Sequence, residues 1–238
     1  MAAETGARPR CELRLLGLVP YKQAWDLQAE LVRARKAGEV VDQLLLLEHP
    51  HVYTIGRKGG LAHILLDGEG LARCGIELFE VDRGGDVTYH GPGQLVGYPI
   101  IDLRRQGVDA HRYLRGLEEC LIQALADYGV LAGRSPGLTG VWLGDNKIAA
   151  IGVRISGGVT SHGFALNVNT DLSYFGHIIP CGLVGKGVTS LEREVGHPVP
   201  LAEVAARVAG HFAREFDLDL APGEGNLLQP LVGRPAGS

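Results

Sequence analysis

Apolar and polar positions predict most of the strands in the first half of the chain. Alternation and short apolar runs are both typical of β-strands. The predicted strands cover residues 11–18, 44–47, 52–55, 76–81 and 95–103. Pro99 in the last of these indicates an edge position or a bulge, because proline has no N–H to donate to a ladder.

Between residues 140 and 168 the pattern predicts consecutive hairpins. A short strand at residues 141–143 is followed by a turn and by a strand over residues 147–155. The Gly157-Gly158 pair then forms a hairpin turn, after which residues 159–168 return as a further strand.

Three stretches carry the helical period of apolar positions, at residues 21–37, 109–128 and 200–216. Asp109 is the predicted N-cap of the second helix, and Gly129 is its predicted C-cap. Residues 58–75 show neither period and are predicted to be irregular.

Mixed strands with about three helices predict an α+β or α/β fold, with a mixed β-sheet and flanking helices. A chain of 238 residues fits one domain. We expect a flexible N-terminus at residues 1–9, one domain over residues 10–217 and a Gly- and Pro-rich tail at residues 218–238.

Composition narrows the classes of function. The net charge of −4 argues against nucleic acid as a partner. No apolar run approaches the roughly 20 residues needed to span a bilayer, so no membrane partner is expected. The four cysteines show neither CxxC nor disulfide-rich spacing, which favours a reducing cytoplasm.

Residues 83–94, with the sequence RGGDVTYHGPGQ, form the most distinctive segment. Glycine tolerates positive φ and lets a backbone approach a ligand closely. Arg83 and His90 add hydrogen-bond donors at the two ends. A phosphate-binding role is the alternative, although the segment lacks a Walker arrangement.

Cys181 is a candidate nucleophile, because Pro180 fixes the backbone before it and Gly182 leaves a free N–H after it. The alternative is a buried structural cysteine. A thiol with a pKa of about 8.5 needs a neighbouring cation or base at neutral pH. Lys147 begins an apolar strand, where burial would lower the pKa of its ammonium. The alternative is a solvated lysine at a hairpin end.

His90 and His162 are each followed by glycine. Either could orient a carbonyl or donate to a ligand, and either could simply be a hydrogen-bonded turn residue. A zinc site from His177, Cys181 and a third ligand is a further alternative, but the spacing matches no standard zinc pattern. We therefore expect no metal ion.

The chain resembles the lipoyl(octanoyl) transferases. Residues 83–94 match the RGGxxTYHGPGQ run of that family at every fixed position. Further similar blocks follow in family order over roughly residues 10–215, at residues 46–57, 140–154, 162–167 and 180–191. The second of these contains Lys147 and the last contains Cys181.

The resemblance implies the fold of the biotin and lipoate protein ligases. It also implies the reaction: an octanoyl group moves from octanoyl-acyl carrier protein to the enzyme thiol, and then to a specific lysine of a lipoyl domain, without a cofactor. Cys181 would carry the acyl group, and Lys147 would lower the pKa of that thiol and shuttle protons.

Three segments would line the acyl and carrier-arm pocket, carried over from the family by position. Their residues are Arg83, Gly84, Gly85, Asp86, Val87, Thr88, Tyr89, His90, Ala150, Ile151, Gly152, Gly163, Phe164 and Ala165, with His162 in a supporting position. Backbone amides at residues 163–165 or at Gly182 would stabilise the oxyanion.

The expected acceptors are lipoyl domains of 2-oxoacid dehydrogenase complexes and the glycine cleavage H protein, and we expect a monomer. One alternative is an ATP-dependent lipoate–protein ligase of the same fold, which needs no catalytic cysteine. Another is a non-enzymatic module that binds acyl carrier protein or lipoyl domains. The presence of both Cys181 and Lys147 argues against such a module.

Overall fold

The computed structural model describes residues 8–179 and 185–223, and at residues 105 and 106 the backbone alone. The strands are β1 (Arg10–Leu18), β2 (Asp42–Glu48), β3 (Val52–Ile55), β4 (Glu77–Glu80), β5 (Val87–His90), β6 (Gln94–Ile100), β7 (Gly133–Ser135), β8 (Leu138–Leu143), β9 (Asn146–Ser156), β10 (Val159–Asn167), β11 (Gly187–Val188) and β12 (Asp219–Pro222). The α-helices are α1 (Tyr21–Ala37), α2 (Gly68–Arg73), α3 (Leu103–Gln106), α4 (Ala110–Ala126), α5 (Leu191–Val195) and α6 (Leu201–Glu215). Turns of 3-10 helix span Leu61–His63 and Leu172–His177.

Within the described residues, nine strands form one mixed sheet in the order β12-β1-β2-β6-β10-β9-β8-β7, with β11 also paired to β9. Strand β2 is buried on both faces, which explains its continuous apolar run. Leu44 and Leu46 pack in the core shared with α4 and α6, whereas Leu45 and Leu47 pack against α1. The predicted mixed sheet with flanking helices is confirmed.

A smaller sheet has the order β4-β3-β5, and its strand β5 arises inside the glycine-rich segment. An aromatic stack fastens the Leu172–His177 turn to this sheet. The ring of Tyr174 stacks on Tyr89 at 5.0 Å and on His51 at 4.3 Å between centroids. The hydroxyl of Tyr89 is hydrogen-bonded to Nδ1 of His51 at 2.8 Å. The chain leading towards residue 180 is therefore held in place.

Short helices were not predicted from the pattern. Residues 58–75 contain α2, whose first turn is capped by Asp67 accepting from the N–H of Gly70 at 2.8 Å. Helices α3 and α5 likewise begin at capping side chains, Asp102 and Ser190. Helices of four to six residues are too short to display an apolar period, so the prediction of an irregular segment was wrong.

Pro99 lies in the central strand β6, so the predicted edge position is wrong. Strand β6 pairs with β2 through Pro99, but its pairing with β10 covers only residues 94–97. Beyond that point the hydroxyl of Thr160 donates to the carbonyl of Pro99 at 2.7 Å and accepts from the N–H of Ile101 at 2.8 Å. Proline is tolerated here because the ladder between β6 and β10 is interrupted at this residue.

The end of the folded domain also differs from the prediction. Strand β12 pairs in parallel with β1, from Asp219 opposite Arg10 to Pro222 opposite Leu13. The sheet therefore continues past residue 217, into the predicted tail. Residues 1–7 and 224–238 lie outside the described residues. Among the helices that are described, none has the length and apolarity to cross a membrane.

Gly97 allows a large ring to lie on the central strand. A Cβ at this position would come within 2.1 Å of Cζ of Phe164, a distance that forces displacement. Phe164 is buried in the main core. Strands β6 and β10 therefore pack closely because Gly97 has no side chain.

We expect Gly97→Ala to lower the free energy of unfolding by about 1–3 kcal/mol, since it overpacks a buried contact. The control is Gly60→Ala, at an extended position with no atom within 4 Å of the added Cβ. That control should stay within about 0.5 kcal/mol of the wild type. Chemical denaturation of the three proteins measures the difference, and equal values for both variants would contradict the packing argument.

Candidate active site

One cavity of about 330 Å³ collects most of the predicted site residues. It is bounded by the start of α1 and by residues of β5, β6, β9 and β10. The predicted residues that line it are Arg83, Gly84, Gly85, Asp86, Val87, Thr88, His90, Lys147, Ala150, Ile151, Gly152, His162, Gly163, Phe164 and Ala165. Segments far apart in the sequence therefore meet at one site.

Tyr89 is the exception among the described candidates. Its fully buried ring lies in the aromatic stack with Tyr174 and His51 rather than in the cavity lining. The prediction that Tyr89 contacts substrate is therefore not supported by its position. Its hydroxyl would also collide with any side chain at Gly91, which explains the glycine that follows His90.

A β-bulge sets the direction of Lys147. Val141 pairs with Ala149 while Trp142 pairs with Lys147, which leaves Ile148 as an extra residue on β9. Nζ of Lys147 lies 4.7 Å from the centroid of the Trp142 ring, a cation–π contact. Burial lowers the pKa of Lys147. The amine is therefore closer to its neutral form than an exposed lysine is, as a proton acceptor requires.

Gly140 makes room for this lysine. Its φ is +121°, and a Cβ would lie 2.7 Å from the carbonyl oxygen of Ala149 and 3.5 Å from Cε of Lys147. The N–H of Gly140 donates to the buried carboxylate of Glu118 at 3.1 Å. A carboxylate from α4 thus holds the backbone on which the lysine side chain rests.

The predicted nucleophile Cys181, with Pro180 and Gly182, lies outside the described residues. Both described flanks of that segment are anchored. Upstream, the N–H of Ile179 donates to the carbonyl of His63 at 2.8 Å. Downstream, Val188 of β11 pairs with Lys147, and the N–H of Thr189 donates to the carbonyl of Lys147 at 3.0 Å.

Arg83 is a buried cation held mainly by neutral groups. Its guanidinium donates to the carbonyl of Thr54 at 2.7 Å, to the hydroxyl of Thr54 at 2.9 Å and to the carbonyl of Gly84 at 3.0 Å. Burial lowers its pKa. A Cβ at Gly56 would lie 2.7 Å from Nη1, so that glycine leaves space for the guanidinium. Arg83 shapes the loop as well as lining the cavity.

A chain of side-chain amides connects the cavity wall with the strand beside Lys147. Nδ1 of His90 is bonded to Oε1 of Gln94 at 2.8 Å, and Nε2 of Gln94 donates to Oδ1 of Asn167 at 2.9 Å. Nδ2 of Asn167 then donates to the carbonyl of Thr189 at 3.0 Å. Because an amide oxygen only accepts, His90 carries its proton on Nδ1. Burial lowers the pKa of His90 well below its usual range, which keeps the ring neutral.

His49 and Tyr98 form a second neutral pair. Nδ1 of His49 lies 2.7 Å from the carbonyl of Val19, and Nε2 lies 2.7 Å from the hydroxyl of Tyr98. Burial lowers the pKa of His49 to about 4. The carbonyl requires a proton on Nδ1, so the hydroxyl of Tyr98 donates to Nε2. The cavity wall at Tyr98 is therefore polar but uncharged.

His162 lines the cavity from a strained backbone position, with φ of +55°. Its N–H donates to Oε1 of Gln28 at 2.7 Å, and Nε2 lies 2.8 Å from Oδ1 of Asp82. Burial lowers its pKa, and Asp82 opposes that change. No group of three or more potential metal-binding side chains occurs in the part of the chain that is described. The zinc alternative also involves Cys181, which lies outside that part.

Ten lining residues were missed by sequence reasoning, namely Tyr21, Lys58, Gln94, Tyr98, Gly137, Leu138, Thr139, Asn167, Phe175 and Val188. Gln94 and Asn167 stand inside the blocks that resemble the family, so the resemblance could have identified them. Tyr98 had no such signal, because it lies in the apolar strand β6 and its place in the cavity wall depends on tertiary packing.

The solved structures to which the chain is similar define its fold. Lipoate-protein ligase A bound with ATP gives a TM-score of 0.71 at 21% identity, covering 89% of this chain and 88% of that one. Biotin protein ligase from Aquifex aeolicus, in complex with biotin and ATP, gives 0.54 at 14% identity, covering 87% and 70%. At these identities the likeness shows the fold alone. The protein has the fold of the lipoate and biotin protein ligases.

Comparison with related sequences identifies the family of this chain. It matches the lipoyl protein ligase A/B catalytic domain over residues 20–213. An "Octanoyltransferase" of Solibacter usitatus (strain Ellin6076) is 56% identical over 213 residues, which cover 90% of this chain and 96% of that relative. The chain belongs to the family of lipoyl protein ligase A/B catalytic domains.

The neutral state of His49 predicts a pH dependence of stability. The unfolded chain protonates this histidine below a pH of about 6.5, whereas the native state resists protonation down to its pKa of about 4. The native state therefore loses stability as the pH falls through this window. From pH 7 to pH 5, we expect the free energy of unfolding of His49→Gln to fall by about 2 kcal/mol less than that of the wild type. Denaturant titrations at both pH values measure this difference, and equal losses would contradict a neutral His49.

Proposed function

We propose that this protein is an octanoyltransferase that acts through a thioester on Cys181 and uses Lys147 as its proton-transfer group. The observation that carries the proposal is the pairing of Lys147 with Val188, at the strand that directly follows the segment containing Cys181. A buried amine of lowered pKa thus lies beside the chain that bears the thiol. The high identity to octanoyltransferases over most of the chain supports the same assignment.

In the first half-reaction, the thiol of Cys181 transfers its proton to Lys147, and the thiolate attacks the thioester carbon of octanoyl-acyl carrier protein. The bond to the carrier sulfur breaks, and the leaving thiolate takes the proton back from Lys147. One thioester replaces another, so no ATP is needed and no net proton is released. The covalent step divides one difficult transfer into two easier ones.

In the second half-reaction, the ε-amine of the acceptor lysine attacks the Cys181 thioester. The carbon–sulfur bond breaks, an amide forms and the thiol of Cys181 is restored. The acceptor lysine enters as an ammonium ion, so this half-reaction releases one proton for each amide formed. Conversion of a thioester into an amide is downhill, which completes the cycle without a cofactor.

The cavity suits a linear acyl chain. Small or apolar side chains form much of its wall, including Ala150, Ile151, Phe164 and Ala165. A largely apolar lining with a few placed polar groups is typical of small-molecule sites. Phe164 and Ala165 are paired on both sides within the sheet, which commits their amides to the ladder. Gly163 and Gly182 remain the proposed sources of an oxyanion-binding amide.

The proposed donor is octanoyl-acyl carrier protein. The proposed acceptors are the lipoyl domains of 2-oxoacid dehydrogenase complexes and the H protein of glycine cleavage, without nucleic acid or membrane as partners. The proposed oligomeric state is a monomer. A free nucleophilic thiol requires a reducing compartment, so we propose the cytoplasm. The ATP-dependent ligase remains the alternative that the following experiment tests.

We expect Cys181→Ala to lose both the acyl-enzyme and all transfer. Purified protein is mixed with octanoyl-acyl carrier protein without ATP, and intact-protein mass spectrometry detects an octanoyl adduct before apo lipoyl domain is added. Cys74→Ala is the matched control, because Cys74 is an exposed free cysteine away from the cavity lining. That control should load and transfer normally. Labelling that appears only with ATP and free octanoate would support the ligase instead.

Lys147→Ala should slow transfer by about 10²–10⁴-fold, the usual contribution of a proton-transfer group. Lys22→Ala is the control, since Lys22 is exposed and paired with Asp26 on α1. The Lys147 variant should also lose the rate increase with pH that depends on its amine. Wild-type rates in the Lys147 variant would remove it from the mechanism.

A further inference from the structure

The cavity of about 330 Å³ that is proposed to hold the acyl chain is called the acyl cavity. A second, smaller cavity of about 180 Å³ lies beside α1, and His162 lies between the two and lines both. Seven of the ten residues that line the second cavity have polar side chains, so its wall is more polar than that of the acyl cavity. The lining residues are Trp25, Gln28, Ala29, Val32, Lys36, Asp82, Arg154, Ser156, Ser161 and His162. Only His162 is common to the two linings.

The bonding of His162 gives each ring nitrogen a distinct state. Nε2 lies 2.8 Å from Oδ1 of Asp82, and the other carboxylate oxygen of Asp82 accepts from Arg154. Burial lowers the pKa of His162, so the resting ring is neutral. A carboxylate only accepts, which puts the proton on Nε2 and leaves a lone pair on Nδ1.

Two buried polar atoms of residues that line this second cavity have no hydrogen-bond partner among the described residues: Nδ1 of His162, a residue that also lines the acyl cavity, and Nε2 of Gln28. Both residues are at most 2% exposed. Nδ1 of His162 is an acceptor that can take a proton, and Nε2 of Gln28 is a donor that a water in the second cavity can satisfy. A polar cavity of this volume holds several waters, each of which occupies about 30 Å³ in the liquid.

The proposed reaction requires a path for a released proton, and a hydrated cavity can provide it. Loading of Cys181 is proton-neutral, whereas aminolysis by the acceptor lysine releases one proton. A folded acceptor domain must reach the acyl cavity to deliver its lysine, and in doing so it covers the cavity mouth. The released proton then needs a route to solvent that the acceptor does not block.

We propose that the second cavity is a hydrated proton exit for the aminolysis step, with His162 as the relay and Asp82 as its positioning residue. The proposal rests on the proposed function. The proton released from the acceptor ammonium crosses the acyl cavity and binds Nδ1 of His162. The imidazolium then gives up its Nε2 proton through Asp82 to water in the second cavity. A flip of the ring exchanges the two nitrogens, so that the protonated nitrogen again faces Asp82 and the unprotonated one can take the next proton.

The charges around the ring of His162 allow a short-lived imidazolium but do not stabilise a lasting one. Asp82 favours the imidazolium, while burial and the neighbouring Arg83 and Arg154 disfavour it. The proton is therefore accepted and passed on without being held. The strained backbone at His162, stabilised by Gln28, keeps the ring between the two cavities.

Asp82→Asn separates the two half-reactions. It removes the proton acceptor but keeps a side chain of the same shape. We expect single-turnover transfer from preformed octanoyl-enzyme to the lipoyl domain to slow at least about tenfold, as loss of a proton-transfer group does. Loading from octanoyl-acyl carrier protein should keep its wild-type rate. Glu30→Gln, the corresponding carboxylate-to-amide change at an exposed position of α1, should alter neither step.

Two further measurements distinguish a proton route from a structural effect. Val32→Phe fills the second cavity without removing a polar group, and it should slow aminolysis selectively as well. Hydroxylamine, a small neutral amine, cleaves the thioester without releasing a net proton and without covering the mouth. Its rate should be the same in wild type, Asp82→Asn and Val32→Phe.

The outcomes separate this proposal from the proposed function. Failure of the wild type to load would reject the octanoyltransferase mechanism itself. Normal loading and normal transfer in both variants would reject the proton exit alone. Equal slowing of loading, transfer and hydroxylamine cleavage would show that Asp82 only supports the fold.

Discussion

The site depends on one backbone contact, the pairing of β11 with the beginning of β9 at Lys147. Strand β11 lies beside the beginning of β9, so that Val188 is opposite Lys147, and the N–H of Thr189 is bonded to the lysine carbonyl. Asn167 then ties the carbonyl of Thr189 to β10. The downstream end of the segment with Cys181 is therefore fixed by backbone pairing before any substrate binds. A coupled thiol and amine require this kind of preorganisation, because a loose pair would gain little from proximity.

Burial of His49, His90 and Tyr98 is tolerated because their donors and acceptors are matched. His49 lies between the carbonyl of Val19 and the hydroxyl of Tyr98, and His90 continues through Gln94 to Asn167. Fully satisfied networks of this kind are rigid, whereas an unmatched member would be costly. The part of the wall that these residues form is consequently uncharged. Arg83, the buried cation, is engaged mainly by neutral oxygens.

Features with a local cause could be predicted from the sequence. The N-cap at Asp109 and the turn at Gly157 and Gly158 are both observed, because each depends on neighbouring residues alone. The bulge at Ile148 and the pairing of β12 with β1 depend on partners far away in the chain. Tyr89 shows the same limit at the site. Its position in the segment that matches the family motif implied substrate contact, but its ring packs against Tyr174 of the Leu172–His177 turn. Side-chain direction is decided by tertiary packing, which local patterns do not record.

The similarity to ligases shows that the fold alone does not determine the reaction, which depends on the side chains of the site. The same sheet occurs in lipoate-protein ligase A, whose structure was solved with ATP, and in a biotin protein ligase. The fold therefore provides a cavity beside a mixed sheet and does not choose how an acyl group is activated. The proposed choice depends on two places in the chain: the beginning of β9, where a bulge, a glycine and a tryptophan hold an amine of lowered pKa, and the segment that contains Cys181. A ligase that activates a free acid as an adenylate needs no catalytic cysteine, whereas the proposed thioester mechanism does. The proposed role of Cys181, more than the architecture, therefore distinguishes transfer from ligation.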